Sequence, residues 1–573
     1  MKKTVSGLFG ILALLFAVVI GTQFVDVASA NFFPESAPQG IRIESEGSVT
    51  GTDMMQRNGN VYTFTGGIYD SIVVLRDNVV IDGAGYALRG DGNSTGVFLQ
   101  DRTNVTIRNM EISNFDCGIK LPSGYMETSS RKNTILGNNI TGNTIGIQLS
   151  QFTENNFVYD NLITNNSYGV QIFHSPNNVF KNNHLKNNQY NLWVYAETSV
   201  PASHFVNDID DSNTVDGKPI YYWVNQHDKI VPSDAGYVAL IDCSGITVQN
   251  LTLANNGQGV LLVSTNSSLI TKNRVANNDY GIVVYGPYLP CAYNTMIENE
   301  IVGNTKDGIN TWGTIASNIA KNLIADNKMN GVNAFAFTGG GIVGNNVTSN
   351  VEAGIQLGGG TRIDVFENYV AANGVGIHIK SSENRIVSNI IIENNGFGMY
   401  LDSESFGGAM NNTIHHNSFI DNHAERAENT YLKRVLAYIN PEVEGLQVFI
   451  PVLFNYTIRD NPVEWKVTNT WDDGEEGNYW SDYLTRYPNA IEVEGLGVGN
   501  TPFYIDEKNI DRYPLLKPIA TPEGLFPSPS LSPMPTLTPS SPEPFPATLI
   551  AASGTSVAII GIGLLIYVKK RGH

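Results

Sequence analysis

The sequence predicts an all-β chain wound as a right-handed parallel β-helix, and three observations predict it. First, a glycine followed by an apolar residue recurs at Gly118-Ile119, Gly146-Ile147 and Gly169-Val170. It returns at Gly259-Val260, Gly281-Ile282, Gly308-Ile309, Gly331-Val332, Gly354-Ile355, Gly376-Ile377 and Gly398-Met399. Most successive steps are 22 or 23 residues, and a fixed period in this range marks a solenoid. Second, short alternating segments rich in Val and Ile, such as Gly146–Leu149, read as strand rather than helix. Third, asparagine pairs recur between these segments, among them Asn138-Asn139, Asn155-Asn156, Asn165-Asn166, Asn182-Asn183, Asn187-Asn188, Asn277-Asn278 and Asn394-Asn395. Asn tolerates the left-handed backbone of a sharp corner, and stacked copies can hydrogen-bond along the rod. Leucine-rich and helical repeats lack their consensus here. About a dozen turns spaced at roughly 4.8 Å give a rod of about 60–75 Å with a thin Ile/Val/Leu column inside.

The elements follow in order. Lys2 and Lys3, an apolar run and Ala28-Ser29-Ala30 predict a secretory signal over 1–30. An N-terminal cap is expected over 31–70 and the β-helix over 71–429, interrupted by a loop insertion at 196–236. An inserted segment and C-terminal cap follow over 430–519, because a solenoid needs its open ends covered. Residues 520–546 are dense in Pro, Ser and Thr and predict an extended stalk. The apolar stretch 547–568 is long enough to span a bilayer, and Lys569, Lys570 and Arg571 in the tail 569–573 place the ectodomain outside. The predicted location is therefore the cell surface, anchored in the plasma membrane.

The formal net charge of −19 argues against nucleic acid as a partner, since phosphate binding needs a basic stripe. Cys117, Cys243 and Cys291 fit no metal spacing and read as small packed residues, with one disulfide left open. Asn-x-Ser/Thr acceptors lie at Asn93, Asn104, Asn139, Asn165, Asn250, Asn266, Asn346, Asn411 and Asn455.

Stretches outside the repeat carry a family resemblance. They are SIVVLRDNVVIDGAGY at 71–86 with NVTIRN at 104–109; DSNTVDGKPIYYW at 211–223 with DAGY at 234–237 and NLTL at 250–253; and WDDGEEGNYWSDY at 471–483 with DRYPL at 511–515. Together they resemble the NosD-like right-handed parallel β-helix proteins common on archaeal cell surfaces, over roughly residues 41–517. The resemblance implies a surface β-helix. It leaves open a copper-related role, after which the family is named, and the sugar binding or hydrolysis of its wider superfamily. The chain departs from the family pattern in extra residues between about Thr430 and Thr470. It also has EVEGLGVGN at 492–500, where relatives carry a carboxylate-rich loop resembling a Ca²⁺ site.

The candidate chemistry is sparse. Copper wants converging His, Met or Cys, and His415, His416 and His423 form the one His cluster. They sit in a repeat copy that turns Ile414 and Phe419 inward. His174, His184 and His378 are scattered singly. Sugar hydrolysis needs two carboxylates across a bond, and the pairs one period apart are Asp279 with Asp307 and Asp307 with Asp326. Isolated Asp in a polar turn more often forms the turn. The acidic DIDDSN at 208–213 lacks the EF-hand Gly and Glu; no cofactor is predicted, and Ca²⁺ has little support. Trp471, Asp472, Asp473, Tyr479, Trp480 and Asp482 are the candidate ligand-binding set, because their aromatics can stack on sugar rings, although a dense terminal motif also suits a cap. The expected function is carbohydrate binding, adhesion or an envelope-structural role. The alternatives are a surface polysaccharide hydrolase or lyase, and a metal-handling factor.

Overall fold

The computed structural model describes residues 38–123, 129–196, 200–286, 289–402, 408–423, 468–506 and 508–519. The predicted signal, stalk, membrane span and tail, the extra residues up to 467 and the acceptor Asn455 lie outside them. Among the described residues no helix is long and apolar enough to cross a membrane.

The described chain is an all-β right-handed solenoid of about 14 turns. Strands of successive turns stack into three parallel faces, and in the second half Val332–Val343 and Ala353–Phe366 each run across two of them. On one face Ile112, Ile140, Ile163, Leu185 and Val215 are direct register partners in successive turns. A second face aligns Ile81, Ile107, Ile135, Val158, Phe180 and Ile209, and a third Val97, Ile119, Ile147, Val170 and Leu192. These side chains are buried in one column. The repeat glycine is required by close approach: a Cβ on Gly118 would lie 2.7 Å from the carbonyl oxygen of Gly146, the equivalent residue one turn on.

The asparagine pairs divide their labour. In five of the seven pairs the first member takes the left-handed corner, with φ of 55° at Asn155, 57° at Asn165 and 56° at Asn187, and the second turns inward. In Asn138-Asn139 and Asn394-Asn395 the corner is the preceding Gly137 or Glu393, and the first asparagine is the inward one. Asn161 Oδ1 accepts from both the backbone N–H and the Nδ2 of Asn138 at 3.0 Å, while Asn161 Nδ2 donates to Ile135 O. The same ladder runs Asn273, Asn299, Asn322, Asn345, Asn368, Asn389, Asn417 and Asn478. Each rung satisfies buried corner amides that would otherwise be orphaned.

The sequence reading of one rod interrupted by a loop is corrected. There are two β-helical segments with separate cores. The stretch 196–236 is not a plain loop, since it holds strands Asp208–Ile209, Thr214–Val215 and Lys218–Val224. Thr214–Val215 and Lys218–Val224 pair antiparallel across Asp216-Gly217. Both turn residues have positive φ, 49° and 81°, as a two-residue hairpin turn of the primed type demands. This hairpin reverses the chain. The strands Tyr237–Ile241 and Gln258–Val263 then turn Val238, Leu240, Val260 and Leu262 into the second core. Their opposite sides, Tyr237, Ala239, Ile241, Leu261 and Val263, pack into the first core. The outer face of the second β-helix thus plugs the end of the first, and both strands are buried throughout.

The ends also differ from expectation. The rungs begin at Ile41–Ile43, which already pairs parallel with Ile72–Val74, so the expected cap over 31–70 contains the first rung. The hairpin Met55–Asn58 with Val61–Phe64 is the added piece. At the other end Tyr479–Trp480 adds a parallel rung to Ser418–Ile420. Cys117, Cys243 and Cys291 are buried thiols that form no disulfide with one another.

Candidate ligand-binding face of the second β-helix

Outward residues of a parallel β-helix stack into straight rows, because register repeats turn by turn. On the first face of the second β-helix one such row is Asn310, Asn333, Gln356, His378 and Tyr400. Beside it runs Tyr285, Trp312, Phe335, Gly358 and Lys380. Near the junction these rows are covered: Tyr285 and Asn310 are buried. Away from it they open, and Tyr400 is 42% exposed.

The amide row is held in place from below. Asp307 is buried and accepts from Asn310 Nδ2 at 2.6 Å, Asn333 Nδ2 at 3.1 Å and Asn330 Nδ2 at 2.9 Å. Gln356 Nε2 donates to Asn333 Oδ1 at 3.1 Å. In the neighbouring row the rings of Trp312 and Phe335 stack with centroids 4.3 Å apart and 14° between planes. Phe335 continues over Gly358, where a Cβ would meet its ring at 2.9 Å. The result is a flat, half-exposed aromatic step beside a strip of fixed amides.

Titratable groups gather at the open end. His378 Nε2 lies 3.8 Å from an Asp402 oxygen. Burial lowers the His378 pKa, outweighing Asp402. Burial likewise lowers that of Lys380, against the opposing charges of Asp402 and Glu352. A half-buried imidazole and amine among carboxylates is a site with acid–base capacity. His378 was foreseeable only as an isolated histidine; the rows need register, which single residues do not announce.

The carboxylates of the expected pairs Asp279 with Asp307 and Asp307 with Asp326 each have other partners or duties. Asp279 is buried at the junction with Lys306 Nζ at 3.5 Å, Asp307 serves the amide strip, and Asp326 sits at a left-handed corner with φ 57°. A second groove of about 690 Å³ follows the amide corner of the first β-helix, through Asn143, Asn166, Asn188 and Gln189 to Asn255.

The C-terminal aromatic set lies in the closing segment. Trp471 is buried and donates its indole N–H to Asn509 Oδ1 at 3.0 Å. Trp480 stacks between Phe419 and Phe503 at 4.6 and 4.2 Å and donates to Asp511 Oδ2 at 2.9 Å. Asp472 is buried against Arg512, whose Nε donates to it at 3.0 Å. Asp473 and Asp482 are exposed and Tyr479 is half-buried. These contacts close the open end of the rod.

Of the histidine cluster, His415 and His416 come together with Asp473, with one ligand atom of each within 4.8 Å of the others, and His423 is not in the group. His184 bonds Thr214, and His174 packs against Phe152, Phe173 and His204. Asp208 and Asp210 of the acidic loop both face Lys181, and Glu492 accepts the Gly497 N–H within its own turn. Of the glycan acceptors, Asn93, Asn104, Asn139, Asn165, Asn250 and Asn411 are exposed, while Asn266 and Asn346 are half-buried.

A family model described as periplasmic copper-binding protein (NosD) matches residues 207–375 and 339–432, and one described as right handed beta helix region matches 70–231. No curated protein matches the chain. Among solved structures, the periplasmic alginate epimerase AlgG is 15% identical, covering 60% of this chain and 76% of its own, with a TM-score of 0.22. The A-module of the Azotobacter vinelandii mannuronan C-5 epimerase AlgE6 is 12% identical over 63% and 88%, with a TM-score of 0.24. PfbA, a surface adhesin of Streptococcus pneumoniae, is 11% identical over 61% and 83%, with a TM-score of 0.23.

Proposed function

The chain belongs to the NosD-like right-handed parallel β-helix proteins, and from that premise we propose that it is a surface protein that binds carbohydrate along the outer face of its second β-helix. The observation that carries this reading is the pairing of the Trp312–Phe335 step with the amide row Asn310, Asn333 and Gln356. A sugar ring has an apolar C–H face that packs on an aromatic plane, and hydroxyls that suit amide donors and acceptors. The amides are already oriented by Asp307, so little ordering cost falls on the ligand complex. The test is retention of a panel of neutral and acidic polysaccharides on the immobilised protein, with Trp312→Ala beside the wild type. Retention that falls at least ten-fold in the variant supports the reading. Equal retention by both proteins, or none by the wild type, overturns it.

The acid–base cluster favours a second reading, modification of the bound polymer. His378 and Lys380 stand in the two rows, Asp402 lies 3.8 Å from His378, and the charges of Asp402 and Glu352 act on Lys380. New chain ends in the same incubation, abolished by His378→Ala, would move the protein from binder to enzyme.

A further inference from the structure

We propose that His415, His416 and Asp473 form a site for one divalent transition-metal ion, which fastens the closing segment to the end of the second β-helix. This is independent of the carbohydrate face. His415 ends the strand Thr413–His415 on the last described turn, and His416 follows at a left-handed corner with φ 55°. Asp473 comes from the closing segment, far along the chain. The ring nitrogens Nδ1 of His415 and His416 are 2.6 Å apart. On its other side His416 Nε2 is 2.9 Å from Glu476 Oε2. Glu476 has only acceptor oxygens when ionised, so in the neutral ring Nε2 carries the proton and Nδ1 of His416 presents a lone pair. The proton of the Nδ1–Nδ1 contact then sits on His415, and an ion takes its place when that ring holds its proton on Nε2 instead. A histidine that donates one ring N–H to a carboxylate and turns the other nitrogen to the ion is the usual arrangement of a metal ligand.

Asp473 is equally prepared. The backbone N–H groups of Glu475 and Glu476 both donate to its Oδ1, at 2.9 and 2.8 Å. They hold the carboxylate in place and leave Oδ2 as a donor to an ion. An ion about 2.0–2.1 Å from each imidazole nitrogen needs them roughly 3 Å apart, a small opening of the present pair. Two imidazoles with one carboxylate and room for water suit zinc or copper(II). They do not suit calcium, which takes six to eight oxygens. The copper named in the family description therefore fits these donors, and the assignment rests on the donors themselves.

The site also has a mechanical meaning. The closing segment already meets this corner through the His416 N–H to Gly477 O, at 2.7 Å. An ion shared by His415, His416 and Asp473 adds a coordinate link between the same two pieces. Binding the folded chain and not the unfolded one, it raises stability by mass action.

The test uses untagged full-length protein stripped with a chelator, titrated calorimetrically with Zn²⁺, Cu²⁺ and Ca²⁺, with the melting temperature read before and after. Zn²⁺ or Cu²⁺ is expected to bind at one equivalent and raise the melting temperature, and Ca²⁺ to do neither. His415→Ala and His416→Ala each weaken binding at least ten-fold, Glu476→Gln weakens it roughly 10–100-fold, and His423→Ala leaves it unchanged. No uptake of Zn²⁺ or Cu²⁺ by the wild type overturns the proposal. So does uptake that survives both histidine substitutions. Should those variants fail to fold, X-ray absorption on the loaded wild type decides: imidazole scattering supports the site, and a shell of oxygen alone overturns it.

Discussion

Trp193 of the first β-helix lies against Gly257 of the second, so closely that a Cβ on Gly257 would fall 2.5 Å from Trp193 Cβ and Cγ. The contact belongs to the junction that makes the two segments one body. Gly257 N–H donates to Leu192 O at 2.9 Å, and Gln258 Nε2 to Val194 O at 2.9 Å. Lys306 then lies over the Trp193 ring, 5.4 Å from its centroid.

Gly257→Ala therefore forces the indole or the backbone to move. Overpacking of this kind costs about 1–3 kcal/mol. Thermal unfolding is expected to show a lower midpoint, whereas Gly142→Ala, where nothing lies within 4 Å, feels the strain of φ 66° but no collision. A melting curve unchanged by Gly257→Ala would mean that the segments are not held by this contact.

Asn322 tests the amide ladder. It is buried; its Oδ1 accepts the Asn299 backbone N–H at 2.9 Å and Asn299 Nδ2 at 3.0 Å. Asn322→Ala leaves buried donors unmet, at a cost of about 1–3 kcal/mol each. Asn277→Gly, at an exposed corner with φ 57°, is expected to be nearly neutral because glycine adopts that conformation freely. Chemical denaturation of both variants checks the contrast.

Asp511 gives the closing segment a pH dependence. Burial pushes its pKa up to about 6, against the lowering bonds from the Trp480 indole N–H and the backbone N–H groups of Asn478 and Tyr513. The folded form therefore holds the proton that the unfolded chain releases at about 3.8. The group favours folding least when it is ionised. Its contribution falls as pH rises from about 4 through about 6 and stays low above. A shift of about two units corresponds to roughly 3 kcal/mol. Unfolding free energies of wild type and Asp511→Asn, compared from pH 4 to pH 7, are expected to drift against the wild type by a sizeable part of that. A difference that stays flat would show that burial does not govern this carboxyl.

The aromatic step is expected to be graded. Trp312 and Phe335 share one stacked pair, so Phe335→Ala removes both its own plane and the support of Trp312. Binding of a retained polysaccharide should weaken more in Phe335→Ala than in Tyr400→Ala, at the row's exposed end. Titration of the three proteins with one oligosaccharide orders them.

The sequence determined the parts that are local or strictly periodic. Gly146 and its repeats announce the turn because no side chain fits beside the next carbonyl, and the Asn-rich phrase announces a corner whose left-handed residue is followed by a buried asparagine. The Trp471–Tyr483 motif likewise marks the closing of the rod. Only the tertiary structure decided that the rod is two segments. The Asp216-Gly217 hairpin was present in the sequence, but strands buried on both sides look the same in sequence whether they serve one core or two. The same holds for the candidate sites. Trp312 with Phe335, and His415 with Asp473, meet because register and chain reversal bring distant residues together, and that proximity is written in no local stretch of the chain.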